Sequence, residues 1–362
     1  MVSLQDISEY RKNKICVSKL KYISTENMLQ NFAGIIPYTS EEDISGVEFC
    51  VGDTLLANIR PYLRKAWLAT HDGACSTDVL ALCPLDITPA FLNNIIEQDR
   101  FIDYVMSGVK GSKMPRGDKA HILAYETAIP SLLEQEKINS FMQLLHQRIA
   151  KIQMEIELLK KYKRGVNNQI LSQIDNSYNC RLGSVCEIVG GGTPDTLHTE
   201  YWGNTVEWFT PSEIGKTKYV NNSVRKLSDI GLDNSSAKLL PIGTVLLTTR
   251  ATLGEMSIAK RECSTNQGFQ SLIPHTDRVS SEYLYYMQII IKPWCEKYAS
   301  GNTFREISKS ALSDCIIPIP DRARQEQIVK LLSSIDMLIG AAESISMSLS
   351  KIRHGLMQQL FI

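Results

Sequence analysis

The sequence predicts an α+β chain: two mixed α/β domains separated by a long antiparallel two-helix coiled coil, the whole forming a pseudo-two-fold internal repeat. Three observations predict it. The chain matches itself at a shift of 190 residues, two segments carry a sustained heptad pattern, and the stretches between them alternate short β-rich runs with helical ones.

The self-match is ungapped over its best part. Pro130, Gln135, Glu136, Ile138, Ile149, Leu159, Lys161, Gly165 and Gln169 fall on Pro320, Gln325, Glu326, Ile328, Ile339, Leu349, Lys351, Gly355 and Gln359. Average usage would give about two or three such identities by chance over a stretch of this length. Upstream the echo continues at changed offsets, as loops of unequal length produce. Gly52-Asp-Thr-Leu-Leu recurs as Gly243-Thr-Val-Leu-Leu, Cys75-Ser-Thr as Cys263-Ser-Thr, and Ser107-Gly108 as Ser300-Gly301, while Leu4-Gln-Asp-Ile7 loosely matches Leu182-Gly-Ser-Val185.

In the first helical segment Ile138, Met142, Leu145, Ile149, Ile152, Ile156, Leu159, Val166 and Ile170 recur at alternating steps of four and three, missing one beat at Lys163. In the second, Ile328, Leu332, Ile335, Ile339, Ala342, Leu349, Leu356 and Leu360 keep the beat, with Ser346 and Arg353 as weak positions. Each helix is expected to run about 35 to 40 residues, roughly 50 to 60 Å. Such a seam needs a partner. The other copy supplies it most simply if the helices run antiparallel, and the pattern is too long for an ordinary amphipathic helix packed on its own domain.

The globular parts read as mixed α/β. Runs such as Asp78–Leu82, Thr244–Thr249 and Cys315–Ile319 suit strands, and Pro89–Ile96 and Ser281–Met287 suit helices. The domain boundaries follow: 1–130 for the first domain, 131–175 for the first long helix, 176–320 for the second domain and 321–362 for the second long helix.

Composition excludes several classes. Thirty-nine Lys and Arg balance thirty-nine Asp and Glu, so a nucleic-acid site must be local. Nine Cys without a C-x-x-C pair fit buried thiols in a reducing cytoplasm. No apolar run approaches the roughly 18 residues of a membrane span, so a cytoplasmic protein without membrane contact is expected.

Catalytic signals fail on inspection. Gly215-Lys-Thr217 lacks the first glycine of a phosphate loop, since position 210 is Thr210. Pro194-Asp195 lacks the acidic-x-Lys spacing of a metal-dependent nuclease, and Gly190-Gly-Gly192 is not a dinucleotide fingerprint. The dipeptides Pro-Pro and Pro-Cys, expected in adenine and cytosine methyltransferases, do not occur. His71, His121, His146, His198, His275 and His354 are scattered without metal-ligand spacing. No catalytic residue and no metal site is assigned.

Cations, by contrast, cluster in loops. Lys110, Lys113, Arg116 and Lys119 lie within ten residues among glycines, a composition suited to phosphate oxygens. The second domain offers Asn302, Thr303 and Arg305 at the corresponding place, and Asn and Arg can read base edges. Arg60, Arg64, Lys216, Lys218 and Arg250 complete the DNA-binding candidates.

Several segments together resemble the specificity subunit of type I restriction-modification systems. They are Gly243-Thr-Val-Leu-Leu-Thr-Thr-Arg250, Asn266-Gln-Gly-Phe-Gln-Ser-Leu272, Ser300 to Ser308, and Ile319-Pro-Asp-Arg-Ala-Arg-Gln-Glu-Gln-Ile328. Gly190-Gly-Gly-Thr-Pro194 and Gly111-Ser-Lys-Met-Pro-Arg116 fit as well. The resemblance covers nearly the whole chain, although the first domain lacks a Gly-Gly-Thr-Pro loop near its start. It implies a non-catalytic reader of double-stranded DNA whose two target-recognition domains each recognise one half of a bipartite site. The coiled coil would set the gap, about 15 base pairs for a 50 Å spacer, and would dock two methylation subunits and, in the full complex, restriction subunits. The chain itself would carry no cofactor; S-adenosylmethionine, Mg²⁺ and ATP would belong to the partners. The rival readings are a protein-binding scaffold that never touches DNA and, further off, a DNA-modifying enzyme.

Overall fold

A computed structural model of the chain describes residues 1–111, 113–175, 178–250, 252–301 and 305–360. The chain divides into two compact units, Met1–Glu155 with Ala342–Ile362, and Ile156–Ala341. Each unit therefore holds one globular domain and a half of each long helix.

In the first unit, Ser8–Tyr10, Val79–Pro84, Thr54–Ala57 and Ala66–Leu68 form an antiparallel sheet in that order. Lys14–Ser18, Asp43–Phe49, Gly73–Cys75 and Tyr22–Ile23 form a second sheet, its last pair parallel. Helices Pro89–Ile96 and Asp99–Ser107 cover the first sheet through Phe91, Leu92, Ile95 and Phe101, all fully buried. The same core takes in Met142 from the start of the first long helix and Met357 from the end of the second, with Ile138, Leu145 and Leu356 against it.

In the second unit, Cys186–Gly190, Gln270–Pro274, Val245–Leu247, Met256–Ala259 and Tyr219–Val220 form one sheet, and Arg225–Leu227, Trp202–Phe209 and Cys263–Thr265 another. Here the late part of the first long helix meets the early part of the second: Lys163 Nζ lies 2.6 Å from Asp336 Oδ1. The early-with-late pairing in one unit and the late-with-early pairing in the other make the two helices antiparallel.

The long helices are Leu132–Ser172 and Arg322–Gln359, 41 and 38 residues. Each follows a proline, Pro130 or Pro320, and each has an oxygen-bearing residue just before its first turn. Ser131 exchanges hydrogen bonds with Glu134, and Asp321 accepts the Arg324 N–H at 2.9 Å. Ile152, Ile156, Ile328, Leu332, Ile335 and Ile339 are buried, and Ile138, Leu145, Ile149, Leu159, Leu349 and Leu356 half-buried. Of the expected seam positions Leu360 alone is exposed; it lies just past the last residue of the second long helix.

The missed beats at Lys163 and Arg353 have a physical cause. The two residues are 190 positions apart, and each turns a cation onto the globular domain of its unit. Lys163 lies 5.2 Å from the Tyr286 ring centroid besides pairing with Asp336, and Arg353 pairs with Glu97. The interruption is an anchoring point rather than a flaw in the heptad.

The repeat extends to backbone register. Val2–Ser3 pairs with Glu126–Thr127 as Asn179–Arg181 pairs with Ile316–Pro318. Leu4 N–H donates to Tyr125 O at 2.8 Å and Leu182 N–H to Cys315 O at 2.7 Å. One alignment needs correction. The residues equivalent to Ser300-Gly301 are Lys110-Gly111, not Ser107-Gly108: Lys110 bridges Arg116 as Ser300 bridges Glu306, and Gly111 and Gly301 have φ of +88° and +116°, which favour glycine. The Ser-Gly dipeptide match is a coincidence of composition three residues out of step.

Candidate nucleic-acid interface

Two segments build one basic surface on the first unit. Arg60 and Arg64 flank the single turn Pro61–Leu63, and both are left-handed, with φ of +53° and +54°. For a non-glycine residue that conformation costs about 1–2 kcal/mol, so the turn is held by its neighbours. Arg60 N–H donates to Pro115 O at 2.8 Å, and Ile59 bridges Arg116. The loop from Lys110 to Arg116 is closed by reciprocal backbone hydrogen bonds of 2.9 and 3.0 Å.

Three of the cations on this surface are already engaged. Lys110 pairs with Asp118, Arg116 with Asp78 at 3.0 Å, and Arg64 with Asp99 at 2.5 Å. Asp118 also caps the helix Lys119–Leu123. The Lys110 ammonium, with the His121 and Ala120 N–H groups, holds its carboxyl down at about 2. Arg60, Lys113 and Lys119 are exposed and make no ion pair among the described residues. Beside them Tyr62 and Met114 are half-exposed, an aromatic and an apolar side chain that sequence reading passed over. The only signal for them was their position between the cations.

In the second unit the equivalent loop is closed by Ser300 and Glu306, at 3.0 and 2.9 Å. Arg250 pairs with Glu306 at 2.8 Å, and the Arg305 guanidinium donates to the Glu296 carbonyl. Asn302 and Thr303, the expected base readers, lie outside the described residues. Lys216 is exposed.

Lys218 departs from expectation. Its ammonium donates to Tyr286 Oη at 3.2 Å and Ser333 Oγ at 3.1 Å, and it lies 4.6 Å from the Tyr286 ring centroid, with Tyr219 and Tyr285 nearby. Burial pushes its pKa down. These interactions tie the domain to the second long helix, so the expectation that Lys218 faces phosphate is dropped.

The Gly190-Gly-Gly192 run serves packing. A Cβ at Gly191 would lie 2.0 Å from Asn266 O, and the Gly192 carbonyl accepts the Trp208 indole N–H at 3.0 Å. Among the described residues no group of three or more His, Cys, Asp and Glu could hold a metal ion, and no helix is long and apolar enough to cross a membrane.

The architecture defines a class: tandem mixed α/β domains, each followed by a long helix, with the two helices antiparallel. A solved structure described as showing the structural basis of complex assembly and conformational transition in a type I restriction-modification system shares that fold over 99% of this chain and 96% of its own, with a TM-score of 0.64 at 20% identity. Residues 175–347 match the type I restriction modification DNA specificity domain, and the chain is similar to specificity subunits of type I restriction enzymes. Over 186 residues it is 35% identical to the type I restriction enzyme MjaIX specificity subunit of Methanocaldococcus jannaschii, covering 50% of this chain and 43% of the relative. It is 25% identical to the EcoR124I/EcoR124II specificity subunit of Escherichia coli, covering 58% and 53%. The chain thus spans about half the length of these curated relatives.

Proposed function

We propose that the chain is the DNA-reading subunit of a type I restriction-modification complex. Each globular domain reads one half of a bipartite site, and the paired helices set the gap and dock methylation subunits. The observation that carries this reading is the bridged loop placed at equivalent positions of both domains, 190 residues apart, on one frame with different side chains. A reader of two unlike half-sites needs that combination.

In the first domain Arg60, Lys113 and Lys119 are the cations available to phosphate, because Lys110, Arg64 and Arg116 already have acidic partners. In the second, Arg250 and Arg305 reach DNA only by leaving Glu306 and the Glu296 carbonyl. Exposed Leu133, Phe141 and Leu144 on the first long helix, and Leu331 and Leu338 on the second, are apolar positions outside the seam. They suit docked helical partners. With a formal charge of zero, the chain by itself binds DNA weakly; the partners close round the duplex and bring S-adenosylmethionine, Mg²⁺ and ATP. The chain is non-catalytic and works in the cytoplasm.

The test is to map methylated adenines with the chain assembled on its methylation subunits, then repeat with Arg60→Glu and Lys113→Glu. Removing one cation from a phosphate should flatten the salt dependence of binding by about one unit of slope and reduce modification at every site alike. Unchanged modification would support a scaffold, and methylation or cleavage by the purified chain alone would support an enzyme.

A further inference from the structure

Gln135 and Gln325, five residues after Pro130 and Pro320, are each 1% exposed, at the junction of a domain with its long helix. Gln135 Oε1 accepts the Thr88 backbone N–H at 3.0 Å and the Thr88 hydroxyl at 3.2 Å, and its Nε2 donates to Pro130 O at 3.0 Å. Gln325 Oε1 accepts the Ser280 backbone N–H at 3.1 Å, and its Nε2 donates to Pro320 O at 2.9 Å and Arg278 O at 2.8 Å. Thr88 and Ser280 are themselves the residues that open the domain helices Pro89–Ile96 and Ser281–Tyr286.

The chemistry is the same at both places. One planar side-chain amide, buried, bonds through its oxygen to the backbone N–H of the residue that opens a domain helix, and through its nitrogen to the proline carbonyl just before the long helix. A domain that rotated on its helix would strand a buried donor and a buried acceptor together, which is costly in a dry junction. The bonds at the opening of the long helix, such as those of Ser131 with Glu134, hold the helix only to itself.

We propose that Gln135 and Gln325 are positioning residues that fix the angle at which each domain leaves its long helix, and thereby enforce the spacing between the two half-sites. The inference rests on the domains being the two halves of a DNA reader. Neither glutamine touches the DNA; they govern where the reading loops are presented.

The experiment uses the full chain assembled with its methylation subunits, and genome-wide mapping of methylated adenine. Gln135→Met and Gln325→Met keep the volume and remove all three hydrogen bonds of each side chain. Both half-site sequences should be retained, while methylation of sites whose spacer is one base pair longer or shorter rises about tenfold relative to the cognate spacing. Gln135→Glu keeps the oxygen that accepts from Thr88 and should fall between. A merely structural role would lower modification at all spacings in proportion, and that unchanged ratio overturns the proposal. Thr88→Val, which keeps the backbone N–H bond to Gln135 but removes the hydroxyl's donation to Gln135 and its acceptance from Asn139 Nδ2 at 2.7 Å, is the milder variant should either methionine variant fail to fold; it too must relax spacing, or the proposal fails. If the unaltered complex yields no bipartite motif, the reading of function fails first, so the two failures are distinct.

Discussion

The loop closed by Lys110 and Arg116 and the loop closed by Ser300 and Glu306 share a frame and differ in content. Both are held by a reciprocal backbone bridge, and both carry a positive-φ glycine directly after the first bridge residue. In the first, three cations occupy the loop and its rim; in the second, the residue equivalent to Arg116 is an acid, Glu306, which takes up Arg250. Backbone geometry was duplicated while the side chains diverged, as expected when turn chemistry holds a loop in place and leaves its surface free to change. The largest test breaks the comparison outright. Replacing residues 181–320 by the corresponding domain of a type I specificity subunit should, on the proposed function, switch one half of the methylated motif completely and leave the other untouched. A change in both halves would show that the domains do not read independently.

A second contrast lies in the paired strands beside each core. Ile23 pairs with Cys75 in the first unit, and Glu207 occupies the matching place against Cys263 in the second. Ile23 is 1% exposed and simply apolar; Glu207, 5% exposed, is held by Lys226 at 2.7 Å and by the Ser223 N–H and hydroxyl. Burial alone would raise the Glu207 pKa, but Lys226 and Ser223 together outweigh it and the net shift is downward. Its contribution is therefore present above the ordinary value of 4.5 and lost as pH falls through the lowered one. Glu207→Leu should cost about 3 kcal/mol, read by urea unfolding of the second unit with the first unit unchanged. Acid titration followed by hydrogen exchange should loosen the strand Trp202–Phe209 well before Tyr22–Ile23.

How much of this was legible depends on the range of the interaction. Heptads and the proline-to-glutamine spacing are local patterns, and they located both long helices and their antiparallel pairing. Ion pairs join residues far apart in sequence, so nothing in the spacing showed that Asp99 would claim Arg64 or Glu306 would claim Arg250. Lys218 looked like a loop cation because the tyrosines around it come from other elements. Lys163 and Arg353 were visible only as interruptions, and it took the fold to show that Lys163 meets the domain at the Tyr286 ring as well as pairing with Asp336 of the other helix, and that Arg353 meets the domain at Glu97.

Those anchors supply the third test. Asp336 accepts both Lys163 and the Tyr286 hydroxyl, at 2.6 and 2.8 Å, while Arg353 has the single carboxylate of Glu97. Asp336→Ala should therefore cost more than Arg353→Met, about 2 against about 1 kcal/mol. Equal losses, measured by thermal unfolding of the two variants, would show that the tyrosine hydroxyl adds nothing.

The smallest effect separates two helix caps at equivalent positions. Asp118 opens the helix Lys119–Leu123 and accepts the Ala120 and His121 N–H groups; Ser308 opens Lys309–Ser313 and accepts the Ala311 N–H through its hydroxyl. Only the carboxylate titrates. Its pKa is lowered from 3.8 to about 2, so the unfolded cap takes up a proton first as pH falls through that window, and the stabilisation present above it is lost. Protection of the Ala120 and His121 amides, their exchange measured against the intrinsic rate at each pH, should then fall between pH 4 and 2, with protection of Ala311 unchanged. Because Asp118 is solvent-facing, the effect stays within one turn of helix and leaves the global midpoint where it is. A parallel fall in protection at both caps would mean that the loop opens by general acid loosening and not through its own carboxylate.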